Sequence, residues 1–232
     1  MYGESDETPV LTNIDKAFFN LIYGGEISNL VFDNKVSRET TSMGAVLANS
    51  IEGQTTLENL TFQNITIETQ REQIGVIANN MANVFDISNV GIRDVKITST
   101  NTNRDANLSI GAIAGANAPA SGTVSGSIAL SNVSVSNLTI EAQTNALSTS
   151  VGGLFGKVGY GTTYENVNVS EIKINVSLGE GENSTYQIFA GGFVGDASGT
   201  PATFGSNTVE SGGAYTLAQE IESLSGSISG KA

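Results

Sequence analysis

The sequence contains no cysteine, no histidine and no tryptophan, and only 3 prolines among 232 residues. Without cysteine, disulfides, thiol nucleophiles and thiolate metal sites are excluded within the chain. Without histidine, Ser-His-Asp and Cys-His catalysis and the usual zinc centres go as well. Positive charge is scarce, with 10 Lys and Arg against 23 Asp and Glu and a net charge of −13. Electrostatics therefore oppose nucleic acid and anionic membrane surfaces, and neither is an expected partner. No apolar run approaches the roughly 18 residues of a membrane-spanning helix, so no membrane insertion is expected. The opening MYGESDETP has neither the basic nor the apolar region of a signal peptide. The expectation is that no signal peptide is present in this chain, which is either not exported or a mature or excised fragment.

What the chain does have is glycine, asparagine, serine and threonine around a 39% hydrophobic fraction. That fraction over this length can fill a continuous core, and the polar small residues favour short strands and turns. A glycine phrase recurs as MGAVLA (43–48), IGVIAN (74–79), IGAIAG (110–115), VGGLFG (151–156) and AGGFVG (190–195). It aligns Gly44, Gly75, Gly111, Gly152 and Gly191, each followed two residues later by Val46, Ile77, Ile113, Leu154 or Phe193. Recurrence at this period is the mark of a repeat architecture. The phrase reads as one strand, apolar on nearly every residue and covered on both faces. Glycine then serves tight corners and close approach between backbones.

A second phrase follows. LENLTFQNITI, ISNVGIRDVKI, LSNVSVSNLTI and YENVNVSEIKI, starting at Leu57, Ile87, Leu130 and Tyr164, place apolar residues at offsets 0, 3, 5, 8 and 10. ISNLVFDNKV (27–36) matches the first half. Apolar pairs two residues apart line one side of a strand, and the gap of three between offsets 5 and 8 forces a corner. Each repeat thus reads as one coil of short strands that pair in parallel with the next coil. The expected fold is all-β, a right-handed parallel β-helix of five to six coils with end caps. Residues 1–26 are expected as an N-terminal cap and first strand, with Phe18, Phe19, Leu21 and Ile22 covering the first coil. Residues 27–199 are the repeats, and 200–232 a C-terminal cap and tail, with a capping helix or last irregular coil at 214–224 and a linker-like SGSISGKA. All three belong to a single domain.

Offset 2 is asparagine throughout: Asn29, Asn59, Asn89, Asn132 and Asn166. Stacked coils would align these into a ladder of amides at a bend. That explains Asn-X-Ser/Thr at Asn59, Asn64, Asn132 and Asn137 without glycosylation.

GGLFGKVG followed by TYENVNVS resembles the GLUG repeat of bacterial surface proteins. PVLTNIDKAFFNLIYGGEISNLVFDNKV resembles the start of the β-helical N-terminal region of the immunoglobulin A metalloprotease family of Gram-positive bacteria. The resemblance covers residues 9–200 and implies a secreted or wall-attached, non-catalytic β-helix. Catalysis in that family belongs to a separate domain with a His-Glu-X-X-His zinc motif. With no histidine here, no catalytic residue carries over.

Enzymatic alternatives rest on carboxylates. Glu58 and Glu165 share a column three coils apart, about 14 Å, too far for paired acid chemistry. Glu68 and Glu141, two coils or about 9.6 Å apart, are the weak candidate acids, with no basic residue expected beside them. The four arginines, Arg38, Arg71, Arg93 and Arg104, form no visible cluster. DASG (196–199) and EGE (180–182) lack the ligand count of a calcium loop, so neither metal nor cofactor is expected. Outward columns of Thr61, Gly91, Ser134 and Asn168, and of Thr66, Lys96, Thr139 and Lys173, offer a flat face for sugars or ice, the lysines interrupting regular threonine ranks. Insertions at 98–109, 116–127 and 178–187 are expected as loops, the last carrying Tyr186. The expectation is a monomeric adhesion or substrate-presenting scaffold, secreted or on a bacterial cell surface. Its partners would be a host glycan or protein, or other domains of the same polypeptide. A polysaccharide-active enzyme and an ice-binding solenoid are the alternatives.

Overall fold

The structure is a computed structural model that describes residues 8–34, 44–82, 84–101, 103–117, 127–159, 161–178, 187–196 and 225–229. It is all-β, about 75% strand, with no helix among the described residues. The chain opens with β1 (Val10–Leu11) and β2 (Phe19–Asp33), and β3 (Ala48–Thr69) follows. Next come β4 (Gln73–Gly75), β5 (Ala78–Met81) and β6 (Val84–Ser99). The same short, short, long order returns in β7 (Asn107–Gly111), β8 (Ala114–Asn117) and β9 (Ser127–Thr144). It returns again in β10 (Ser148–Gly152), β11 (Phe155–Val158) and the pair β12 (Gly161–Glu165) and β13 (Asn168–Leu178). Last are β14 (Gln187–Gly191), β15 (Val194–Asp196) and β16 (Ser225–Ser229).

Every strand pair among the described residues is parallel, and each repeat pairs with the next. The first short strands run β4–β7–β10–β14 in one sheet, with Ile74, Ile110, Val151 and Ala190 in register. The second run β5–β8–β11–β15, joined by the start of β3, so Ala48, Ala78, Ala114, Phe155 and Val194 align. The long strands stack β2–β3–β6–β9–β13 within a curled sheet.

The offsets decide burial. Offset 0 lines up Leu57, Ile87, Leu130 and Tyr164, and offset 5 lines up Phe62, Ile92, Val135 and Val169. Offset 10 lines up Ile67, Ile97, Ile140 and Ile174, and all twelve side chains are buried. ISNLVF joins the same columns, its Phe32 stacked on Phe62 with ring centroids 4.7 Å apart and planes 2° from parallel. Each inward column is removed from water along its length, the main favourable contribution to such a fold.

The glycine phrase is not a single strand. In VGGLFG, β10 ends at Gly152, the chain bends through Gly153 and Leu154, and β11 starts at Phe155. The apolar run looked like one strand because both arms of the corner face the core, leaving no polar residue to mark the bend. Glycine is required here by space. A Cβ on Gly152 would lie 2.7 Å from the backbone nitrogen of Gly195, and one on Gly75 2.5 Å from the Cα of Ala114. Gly111 and Gly191 meet backbone just as closely, whereas Gly44 meets the side chains of Arg71 and Asn79.

The ends also differ from expectation. β2 crosses the expected boundary at residue 26 and is itself the first long strand. Ile22 is buried as expected, but Phe18, Phe19 and Leu21 are exposed rather than covering anything. Ser225–Ser229 of the linker-like tail pairs in parallel with β13 from Lys173 to Ser177. The expected boundary at 199/200, the capping segment 214–224, EGE at 180–182 and Tyr186 fall outside the described residues. The insertion 98–109 is partly strand, because β6 runs to Ser99 and β7 starts at Asn107.

Candidate functional site

The outward surface of the long strands is shaped by two columns of left-handed corners. Asn29, Asn59, Asn89, Asn132 and Asn166 all have φ between 50° and 58°. Asparagine tolerates this region because its short amide bonds locally. Asn59 donates to Asn29, Asn132 to Asn89, and Asn166 to Asn132, each from Nδ2 to Oδ1 at 3.1 Å. Three of the four steps of the expected ladder are thus bonded, the step from Asn59 to Asn89 being aligned in register without such a bond.

The second column, at offset 7, holds Asn64, Asp94, Asn137 and Glu171 with φ between 51° and 56°. Asn64 donates to Asp33 at 2.8 Å and Asn137 to Asp94 at 2.7 Å. Here lies the corner demanded by the gap between offsets 5 and 8. Its one legible signal was a polar residue at offset 7 in every copy. A third amide run, Asn79 to Asn49 to Asn20 at 3.1 Å per bond, edges the second short strands.

Between the corners stand the exposed columns. Thr61, Gly91, Ser134 and Asn168 align, as do Thr66, Lys96, Thr139 and Lys173. Glu58, Ser88, Ser131 and Glu165 align too, so these two acids are separated by two intervening residues. Glu68, Thr98, Glu141 and Asn175 form the next column. Glu68 and Glu141 thus stand two strand spacings apart, about 9.6 Å between backbones. Contrary to expectation a base does join them, since Lys96 Nζ lies 2.8 Å from Glu141 Oε2 with both side chains nearly half exposed. The diagonal between neighbouring strands brings them together, a relation invisible in a single repeat.

Arg93 is likewise less isolated than expected. It donates from two guanidinium nitrogens to Gln63, whose Nε2 donates to the buried Asp33 at 2.8 Å. Beside Glu141 a shallow groove of about 320 Å³ is lined by Thr98, Thr100, Gln143, Asn175 and Ser177. Asp196 of the DASG segment is buried and lies 3.5 Å from Lys157. Among the described residues no three acids gather in a metal-holding group.

The Tyr164 hydroxyl is strongly perturbed. Burial pushes the Tyr164 hydroxyl up to about 12, and a hydrogen bond with Thr162 opposes this in part. Asn117 donates to that same Thr162 hydroxyl at 3.3 Å. The tyrosine ring stacks on Phe193, with centroids 5.9 Å apart. The group is a packed core residue in a polar setting, remote from the outward columns.

Comparison with protein-family models, curated proteins and solved structures finds no match. Among the described residues no helix is long and apolar enough to cross a membrane.

Proposed function

We propose that the chain is a non-catalytic module that holds a rigid, polar surface, wound as a right-handed parallel β-helix of five to six coils. The observation that carries this reading is the register that the long strands share from Ile27, Leu57 and Ile87 onward, downstream of irregularities at Tyr23/Gly25 and Thr55/Thr56. Four or more successive repeats keep the same columns in line, inward and outward. Parallel backbone ladders tie each repeat to the next, reinforced by amide bonds at several of the corners, so the outward columns are held at a fixed spacing of about 4.8 Å. A face of threonine, serine, asparagine and glutamine at that spacing suits hydrogen bonding to an extended, hydroxyl-rich partner such as a glycan, or the display of another domain. In this reading the module belongs to a bacterial secreted or surface protein and serves adhesion or substrate presentation.

A polysaccharide-active enzyme is the second reading, favoured by Glu68 and Glu141 in one column near the upper limit of carboxyl spacing for inverting hydrolysis. Lys96 stands beside this column, its Nζ 2.8 Å from Glu141 Oε2.

The two readings are separated by a panel of plant, host and bacterial polysaccharides scored for retention and for newly formed reducing ends. The expected result is retention of a ligand with no product. Reducing ends that vanish in Glu141→Gln would replace the scaffold reading by the enzyme.

A further inference from the structure

The first repeat ends in an apolar surface. Phe19 stands in line with Ala48, Ala78, Ala114 and Phe155, all four of them fully buried. At the end of that line Phe19 is 39% exposed, Phe18 55%, Leu21 48% and Tyr23 77%. Among the described residues β1 is the strand on the outer edge of β2, and it reaches only Val31 and Phe32. Among those residues nothing pairs with that edge from Phe19 to Leu30, so free backbone groups lie next to exposed aromatic rings, the combination that natural sheets usually cover.

We propose that this end of the stack is a self-association surface, on which a second copy of the chain packs end to end about a two-fold axis. Two arguments select a second copy. A two-fold sets the β2 edges antiparallel, and the sequence of this segment is complementary to its own reversal. Exposed Lys16 precedes the apolar stretch Phe18–Tyr23 and exposed Glu26 follows it. Each lysine then lies toward the partner's glutamate, with Asp15 one residue further out. The second argument is area. Side chains of this size at these exposures present roughly 500 Å² per copy. A two-fold contact therefore buries about 1,000 Å², at the lower bound for a specific, reversible interface. The pairing continues the parallel stack across the axis as one antiparallel step and covers the end of the Phe19 column. It departs from the monomer expected on composition, because a net charge of −13 per copy is screened beyond about 8 Å at physiological salt.

Sedimentation velocity over roughly 1 μM to 1 mM, where a contact of this size dissociates, tests the proposal at physiological salt. A monomer–dimer equilibrium is expected, weakened at least tenfold by Tyr23→Lys with an unchanged circular dichroism spectrum. Lys16→Glu and Glu26→Lys should each weaken it severalfold, and the double exchange in one chain should restore it. A wild-type chain that stays monomeric throughout overturns the proposal. So does a dimer indifferent to both single charge reversals, or one broken instead by Phe189→Asp, whose exposed ring sits on β14 in the last repeat.

Discussion

Asn132 sits in the middle of its ladder, and replacing it separates two contributions that the corner combines. Its φ is 52°. It donates to Asn89 and accepts from Asn166, both at 3.1 Å and both exposed to water. In Asn132→Ala the left-handed conformation costs about 1 kcal/mol for a residue with a Cβ and no local hydrogen bond. Loss of two solvent-exposed amide bonds adds about 0.5 kcal/mol each, the low end of the usual range. The sum is about 2 kcal/mol, which at this chain length lowers the midpoint of thermal unfolding by roughly 4–8 °C. Asn132→Gly loses the same bonds but none of the backbone tolerance, and should cost about 1 kcal/mol. Asn107→Ala is the control. Asn107 is exposed at the first residue of β7 rather than in a loop, and has ordinary φ, so its removal should fall within about 0.5 kcal/mol of wild type. In urea unfolding Asn132→Ala should be the least stable of the three variants, Asn132→Gly intermediate, and Asn107→Ala nearest wild type. Equal losses for the alanine and glycine variants at position 132 would refute the strain argument. An Asn132→Ala protein as stable as Asn107→Ala would refute the ladder.

Gly152→Ala drives a Cβ into the backbone of the neighbouring repeat and should destabilise by about 2–3 kcal/mol or prevent folding. Gly91→Ala, whose Cβ meets nothing nearer than the Ser134 hydroxyl at 3.7 Å, should be neutral or stabilising by up to about 1 kcal/mol in the same urea assay. Phe62→Ala empties half of the stacked pair with Phe32 and should cost about 3–5 kcal/mol, with a cooperative shift of the urea midpoint. Tyr164 is raised from 10 to about 12 in the folded state. The folded protein therefore favours the neutral phenol, and that stability is fully present below about pH 10 and is lost as pH rises through about 12. Unfolding free energies measured between about pH 9 and 12 should fall by on the order of 2–3 kcal/mol in wild type through this group, and Tyr164→Phe should lack that part of the decline.

Much of this protein is written locally. Offsets 3 and 5, and again 8 and 10, counted from Leu57 and its counterparts, could be read as inward because a strand has a period of two, and burial follows that period whatever the strand is paired with. Register followed as well, since aligning the copies on Asn59, Asn89, Asn132 and Asn166 sets the columns that the strands adopt. Other features depend on the neighbouring repeat. The corner at offset 7 was legible as a break in the alternation, but its left-handed backbone at Glu171 was not, because a glutamate enters that region only when the strands on either side hold it there. The bend inside VGGLFG was hidden by apolar residues on both of its arms, and only the contact between Gly152 and Gly195 across repeats reveals what the glycine is for. Lys96 reaches Glu141 across the diagonal between β6 and β9, so no reading of one repeat could pair them. The exposure of Phe18, Phe19 and Leu21 is decided last of all, since an apolar residue in a terminal repeat is buried only if something stacks on it. Sequence determines what each residue can face. Stacking decides what it meets.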